Sequence, residues 1–302
     1  MPTAFILIAL AVVHIIWGGG FIVLKIAQQY FSLEHILLGR VALASVLYLC
    51  LWRFIPKPQY RKGDWKLLGL LALCEPFLLF IFETMGLQYT SASQGGMIVA
   101  CVPLTVAIGA YFAYGERISR RCLGGIMLAV LGVAVVSVFG EAGEHGANPL
   151  LGNFLIFCAV LSATCYALTV KHLCSRYHFI YLSAVQVFGA TLLFLPGAVL
   201  APAPEALPWE AIGALVYMGL GITFLVYFVI NYALTRIKAA HVILFSNLIP
   251  VSTLLLAYLV LGETLNAFQY GGAAMVLCGV LLAGAPEEAG AGKEEFCAAA
   301  GK

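Results

Sequence analysis

Two glutamates in the run CEPFLLFIFETMGL, residues 74–87, are the residues most able to do chemistry. Glu75 and Glu83 lie among phenylalanine, leucine and isoleucine, where a carboxylate is costly unless it is paired, protonated or turned toward a polar interior. Other polar side chains recur in equally apolar runs: His14, Lys25, Arg40, Gln94, Gln186, Asn231, His241, Asn247 and Gln269. Inside a membrane span such groups face the bundle interior, where they either line a route for solutes and protons or bond one helix to another. No HExxH, GxSxG or CxxC motif accompanies them, so the sequence predicts no catalytic centre, metal or cofactor. The nine cysteines are scattered and read as small packing residues.

The elements that must position these groups are membrane helices. The chain of 302 residues is 63% hydrophobic and 10% charged, with a mean hydropathy of +1.00. A soluble domain carries about 25% charged residues, so lipid must be the solvent. A net charge of +2 argues against a nucleic-acid partner. Apolar stretches predict ten spans, near 4–27, 34–54, 65–88, 92–114, 119–139, 149–172, 179–200, 208–234, 239–261 and 266–284. The first has no basic residue before it and runs on to Lys25, so it reads as a retained helix rather than a signal peptide. The alanine- and glycine-rich residues 286–302 read as a flexible tail.

Basic residues set the orientation. Arg53, Lys57, Arg61, Lys62, Lys66, Arg117, Arg120, Arg121, Lys171, Arg176, Arg236, Lys238, Lys293 and Lys302 all lie on one side; the loops opposite carry Glu34, Glu141, Glu144, Glu205, Glu210 and Glu263 and no Lys or Arg. The positive-inside rule makes the first side cytoplasmic and puts both termini there. The expected location is a bacterial-type cytoplasmic (inner) membrane, crossed several times.

A shift of 147 residues lays one half over the other. It matches Pro103 to Pro250, Tyr111 to Tyr258, Gly115-Glu116 to Gly262-Glu263, Gly125 to Gly272 and Gly132 to Gly279. Each unit holds five spans, an odd number, so the copies enter the membrane in opposite senses, an arrangement common in carriers. The fold expected is an all-α membrane protein of ten transmembrane helices in two inverted five-helix repeats, 1–140 and 149–285. Glycines seven apart share a helix face; they serve packing within the bundle or a homodimer interface, leaving monomer or homodimer open. Pro103 and Pro250, mid-span, predict kinks that free carbonyls and act as fixed bends or as hinges.

The pattern GLQYTSASQGGMI…P…GER…GG…G, its second copy ALTRIKAAHVIL…P…LGETL…GG…G, and Trp17-Gly18 resemble the EamA family of the drug/metabolite transporter superfamily, over the chain to about residue 285. The resemblance implies a ten-helix bundle that moves amino acids, amines or other metabolites, often outward and in some members with protons.

Depth separates the candidate site residues. At about 1.5 Å per residue, Glu75 and His14 lie near the midplane, while Glu83 and Arg40 share a level nearer the outer face. Glu83 is expected to pair with Arg40, and with Lys25, as a gate or structural salt bridge, or else to meet substrate directly. Glu75 beside His14 is suited to hold a proton or a cationic solute; otherwise it is a neutral glutamate bonded to a carbonyl. Trp17, Tyr166 and Tyr227 offer aromatic walls for an amine by cation–π contact, and Gln94, Asn231, His241 and Asn247 offer further polar contacts. The leading expectation is an alternating-access carrier of an amine, quaternary ammonium or amino-acid-like solute with H+ as a coupling ion. The alternatives are an exporter of neutral amino acids or hydrophobic metabolites with both glutamates structural, a sugar-phosphate or nucleotide-sugar carrier, and a membrane-embedded enzyme.

Overall fold

The computed structural model describes residues 3–55, 58, 60–115, 118–139, 147–173, 176–204, 207–234, 236 and 245–284. Among them there are helices and turns and no strand. Eight helices are long and apolar enough to cross a bilayer: α1 (Thr3–Ala27), α2 (Leu33–Cys50), α3 (Asp64–Tyr89), α4 (Ala92–Tyr114), α5 (Arg120–Val138), α6 (Pro149–Leu173), α7 (Phe179–Leu200) and α8 (Trp209–Ile230). Two shorter apolar helices follow, α9 (Leu248–Leu261) and α10 (Ala267–Gly284). The lengths follow from the apolar runs, because in hydrocarbon only a helix bonds all of its own backbone. The outer surface is as oily as the core: Leu200 is 86% exposed and Phe112 80%. Side chains of that kind tolerate such exposure when lipid covers them.

Helix ends are written in the sequence. The Ser91 hydroxyl accepts from the Gln94 amide at 3.2 Å and that of Ser119 from the Cys122 amide at 3.1 Å, each filling an orphan position in a first turn. At the other end α4 and α9 stop at Gly115 (φ 70°) and Gly262 (φ 66°), left-handed positions that a side chain would strain. Glu263, just past the second of these, does more than end a helix. Its two carboxylate oxygens accept from the Ala92 and Ser93 amides at 2.9 Å each, which ties the end of α9 to the positive start of α4.

Packing joins the two halves rather than each half to itself. The most extensive helix pair is α5 with α10; α3 packs on α6, α2 on α7 and α8, α1 on α8 and α9, and α4 on α6 and α9. Glycines make the close crossings. A Cβ on Gly132 would come within 2.6 Å of the Gly272 carbonyl oxygen, and one on Gly279 within 2.5 Å of that of Gly125. The seven-residue glycine faces therefore meet each other within one chain, antiparallel. Gly18 fits against Ser252 and the Ile249 carbonyl in the same way, and the Thr253 hydroxyl donates to the Gly18 carbonyl at 2.9 Å. Close approach is the use of the Gly18 position, since there is no lipid-driven hydrophobic force between apolar helices and small residues let dispersion do the work.

Helices α4 and α9 are interrupted where the prolines require it. The α4 chain turns at Ala100–Cys101 before resuming at Val102, and α9 resumes after a turn at Asn247. The turns fall three residues before Pro103 and Pro250, and the 147-residue shift carries one onto the other. A second pair of irregular stretches also coincides under that shift. Helix α3 widens over Leu73–Leu78 and α8 over Tyr217–Val226, where the Thr223 hydroxyl donates to the Met218 carbonyl five residues back at 2.9 Å.

Candidate functional site

The break in α3 is local chemistry. Pro76 has no amide hydrogen to donate and its ring drives the preceding residue out of the helical region. Glu75 accordingly sits at φ −142°, ψ 123°, extended in the middle of a helix. An opened helix leaves carbonyls that lipid cannot satisfy, so neighbouring helices must. Ser162 of α6 donates to the Cys74 carbonyl at 2.7 Å, and Gln186 of α7 donates to the Glu75 carbonyl at 2.9 Å. The Glu75 side chain is left to α8, whose Tyr227 hydroxyl donates to Oε1. Glu75 is 4% exposed. A small cavity borders it, lined by Pro76, Phe80, Ser183, Gln186, Thr223 and Tyr227.

Two turns further along α3 the second carboxylate has a different partner. Arg40 of α2 donates from Nη1 to Glu83 Oε2 at 3.1 Å, and its guanidinium lies 3.4 Å from the centre of the Phe80 ring. Arg40 is 3% exposed and Glu83 9%. Trp17, Phe21, Met218 and Ile222 wall the cavity over this pair. Phe80 touches both regions, lining the Glu75 cavity and carrying Arg40 on its face. Trp17 also serves both: it lines the Arg40 cavity and packs on Tyr227 with ring centres 5.8 Å apart.

The remaining sequence candidates separate by position. His14, placed beside Glu75 by depth, instead donates from Nδ1 to the Leu10 carbonyl at 2.7 Å and stacks on Trp17 at 6.4 Å. A carbonyl only accepts, so the bond fixes the proton on Nδ1. Tyr227 takes the place beside Glu75 that the sequence gives to His14. Lys25, expected near Glu83, has Glu263 as its acidic neighbour. Gln94 lies apart from both glutamates. Its Oε1 accepts from Asn153 Nδ2 at 2.8 Å and from the Thr90 hydroxyl at 3.2 Å, and Asn153 also donates to the Ser137 hydroxyl at 3.1 Å. This knot bonds α4, α5 and α6 to one another. Tyr166 packs at the edge of the apolar cluster of Leu68, Leu71, Leu173, Tyr177 and Leu182 and is an electrostatic neighbour of Tyr227. Asn247 is half-buried at the α9 turn. Asn231 directly follows α8, in the helical turns that continue to Leu234, with its side chain outside the described residues, and His241 lies outside them altogether.

Some participants escape a search for charged groups. Ser162, Ser183 and Thr223 are common in membrane helices and carry no distinguishing spacing. Gln186 stands out as a buried amide, but nothing in its neighbours says that it serves the backbone of α3.

A latch lies on the face where the basic residues gather. Asp64, at the start of α3, accepts from Arg176 Nη1 at 3.0 and 3.1 Å and from the Tyr177 hydroxyl at 2.6 Å. Burial first, and then the bond to and the charge of Asp64, push the Tyr177 phenol up to about 12.

Comparison with known proteins agrees with the helical plan. The chain matches the model of the EamA-like transporter family over residues 4–138 and 150–285. It is 30% identical over 253 residues to the uncharacterized transporter YetK of Bacillus subtilis (strain 168), covering 80% of this chain and 76% of that one. It is 27% identical over 286 residues to a probable amino-acid metabolite efflux pump of Salmonella typhimurium (strain LT2), covering 91% and 93%. A crystal structure shares the fold at a TM-score of 0.63 over 92% of this chain and 97% of the other, at 14% identity, a likeness of fold alone. These names are those of transporters rather than enzymes. With the apolar helices and the paired match in both halves, the chain belongs to the EamA-like transporter family and is a multi-pass membrane protein.

Proposed function

We propose that the protein is an alternating-access carrier for a small amine-bearing metabolite, with Glu75 as the residue that exchanges the solute's ammonium group for a proton. The observation that carries this reading is the Glu75 carboxylate, buried at an opened turn of α3 and met by Tyr227 from the other half of the chain. A carboxylate in such a place holds a proton or a cation, and either one lowers the cost of its burial. Trp17 and Tyr227 supply π faces for the cation beside it. The space bordering Glu75 is about 20 Å³, enough for a water, so in this scheme a solute enters only when the helices around it move apart.

The mechanism needs two repeats that rock against each other. Ten crossing helices in two inverted units, 1–140 and 149–285, with a tail at 286–302, are supported by the coincidence of both irregular stretches under the 147-residue shift. The contacts have the same symmetry: α1 on α9 answers α6 on α4, and α3 on α6 answers α8 on α1. The basic loops support cytoplasmic termini in an inner-membrane protein. In this scheme the Arg40–Glu83 pair holds one side closed and the Asp64–Arg176–Tyr177 latch the other.

A second reading, export of neutral amino acids, draws support from the efflux-pump name of the Salmonella relative. A sugar-phosphate carrier is disfavoured because the buried Arg40 is already paired with a carboxylate. Purified protein in sealed vesicles tests the proposal. Counterflow of an amine or amino acid that responds to a pH gradient, with loss of the response in Glu75→Gln, supports it. A Glu75→Gln protein that transports with an unchanged pH-gradient response removes Glu75 from the role.

A further inference from the structure

We infer that the connection between α2 and α3, with the first turn of α3, is a docking surface for anionic phospholipid headgroups, and that a lipid seated there tightens the Asp64 latch. The docking surface requires only a membrane protein; its effect on closure rests on the carrier reading above.

Two kinds of side chain alternate along this segment. Trp52, Phe54, Tyr60 and Trp65 are exposed, Phe54 by 78% and Trp65 by 64%. Arg53, Arg61, Lys62 and Lys66 stand exposed among them. Residues 51–63 hold no Asp or Glu. Among the described residues none of the four bases pairs with an acid, and Asp64 already serves Arg176 and Tyr177. Like charges gathered this closely repel unless an anion lies among them, and bare rings of this size call for an apolar cover. A soluble anion answers the first need and not the second. A phospholipid answers both, with its phosphate among the bases and its acyl boundary against the rings, the level at which tryptophan and tyrosine settle in a bilayer. The rings are held in place. Trp52, in a single tight turn Trp52–Phe54, packs on Phe188 of α7 with ring centres 6.2 Å apart, and Lys66 Nζ lies 5.7 Å from the centre of the Trp65 ring. The exposed bases at the start of α5, Arg120 and Arg121, lack this company: residues 115–138 contain no aromatic side chain.

Backbone bonds tie the surface to the latch. Gly63, at φ 100°, closes a turn in which the Asp64 amide donates to the Arg61 carbonyl at 3.0 Å and the Arg61 amide donates to Asp64 Oδ2 at 3.1 Å. Arg61 and Asp64 therefore move as one unit. From that unit the Asp64 carboxylate reaches the second half of the chain, accepting from Arg176 at 3.0 Å and from the Tyr177 hydroxyl at 2.6 Å. A headgroup that fixes Arg61, Lys62 and Lys66 at the membrane surface thereby holds Asp64 in position to receive Arg176 and Tyr177.

The test uses the full chain in nanodiscs of phosphatidylcholine alone or of equal parts phosphatidylcholine and phosphatidylglycerol. Phosphatidylglycerol is expected to raise the melting temperature and to slow amide hydrogen exchange over residues 61–72 and 171–182, the segments that meet at the latch. Residues 80–87, beside Arg40, should exchange as before. The triple variant Arg61→Gln, Lys62→Gln, Lys66→Gln keeps the Arg61 backbone donor and removes three exposed charges, so it folds. At about fivefold per basic side chain, its affinity for phosphatidylglycerol in a native mass-spectrometry titration is expected to fall about 100-fold. Arg120→Gln with Arg121→Gln thins the charge of the same face without touching the segment, and is expected to keep the lipid effect. Soluble glycerol phosphate is expected to give no protection. Equal behaviour in the two bilayers, an effect that survives the triple variant, an effect lost equally in the Arg120 and Arg121 pair, or equal protection by glycerol phosphate each overturns the docking surface. Higher melting in phosphatidylglycerol with unchanged exchange over 171–182 overturns the link to the latch. Absence of amine counterflow in sealed vesicles, with the lipid effects intact, removes the carrier reading alone.

Discussion

Glu75 and Glu83 share one helix and one class of apolar sequence neighbours, two turns apart, yet their surroundings differ in kind. Glu83 faces a fixed positive charge, Arg40, at 3.1 Å. Glu75 faces a neutral phenol, Tyr227, at a place where the backbone itself has opened. The first environment offers a carboxylate a guanidinium to pair with. The second offers it a hydroxyl donor from another helix. The difference is made by what the other helices bring: α2 brings a guanidinium, α8 brings a hydroxyl. Under the proposed function one helix carries both a lock at Glu83 and a titratable site at Glu75, because a carboxylate's behaviour belongs to its partners more than to its position in sequence.

Substitutions test that contrast, beginning with the largest effect. Glu83→Ala leaves Arg40 buried and uncompensated, which is expected to cost about 3–5 kcal/mol and to lower the melting temperature of the purified protein sharply. Glu75→Gln strands no charge, so thermal stability should hold while vesicle transport falls by about 10–100-fold, the worth of a charge-assisted contact of about 1.5–3 kcal/mol. If both variants melt equally early, the distinction between lock and site collapses. Gly132→Val supplies a control remote from both carboxylates. Its added methyl groups meet the Gly272 carbonyl and the Val276 amide, so the α5–α10 seam should lose about 1–3 kcal/mol, read as a lower melting temperature with no change in substrate preference. Tyr227→Phe keeps the ring beside Trp17 and removes the donor to Glu75. It should reduce transport by about fivefold, the worth of one hydrogen bond of about 1 kcal/mol, with thermal stability held. Glu263→Gln is the gentlest, expected to cost about 1 kcal/mol by weakening the tie to the α4 amides.

Several contacts of the candidate site were legible from sequence, and the reasons are physical. Carboxylates in apolar runs stand out because lipid penalises them whatever the fold, so Glu75, Glu83 and Arg40 announce themselves by type alone. The Arg40–Glu83 pairing followed from helix rise, since two groups at one depth in adjacent helices can meet. His14 failed the same test because depth is one coordinate of three. It lies in the right layer but turns to its own helix and to Trp17. Tyr227 was visible as an aromatic wall but not as the donor to Glu75, because the rotation of α8 about its axis is set by packing on α1 and α2. Gln94, equivalent by repeat to His241, is absorbed in a hydrogen-bonded knot with Thr90 and Asn153 that no spacing foretells.

By itself the sequence determined the class of molecule, the stretches that become helices, the places where α3, α4 and α9 open, and the side toward which basic loops lie. Each depends on short-range terms: the transfer of side chains into lipid, the missing amide hydrogen of proline, the left-handed freedom of glycine. Only the tertiary structure decided which groups meet across helices: Tyr227 with Glu75, Gln186 with the freed carbonyl, Glu263 with the start of α4, glycine with glycine along α5 and α10. Those contacts join residues far apart in sequence, and their geometry depends on how each helix is rotated and crossed against its neighbours, quantities to which the composition and periodicity of any one helix are blind.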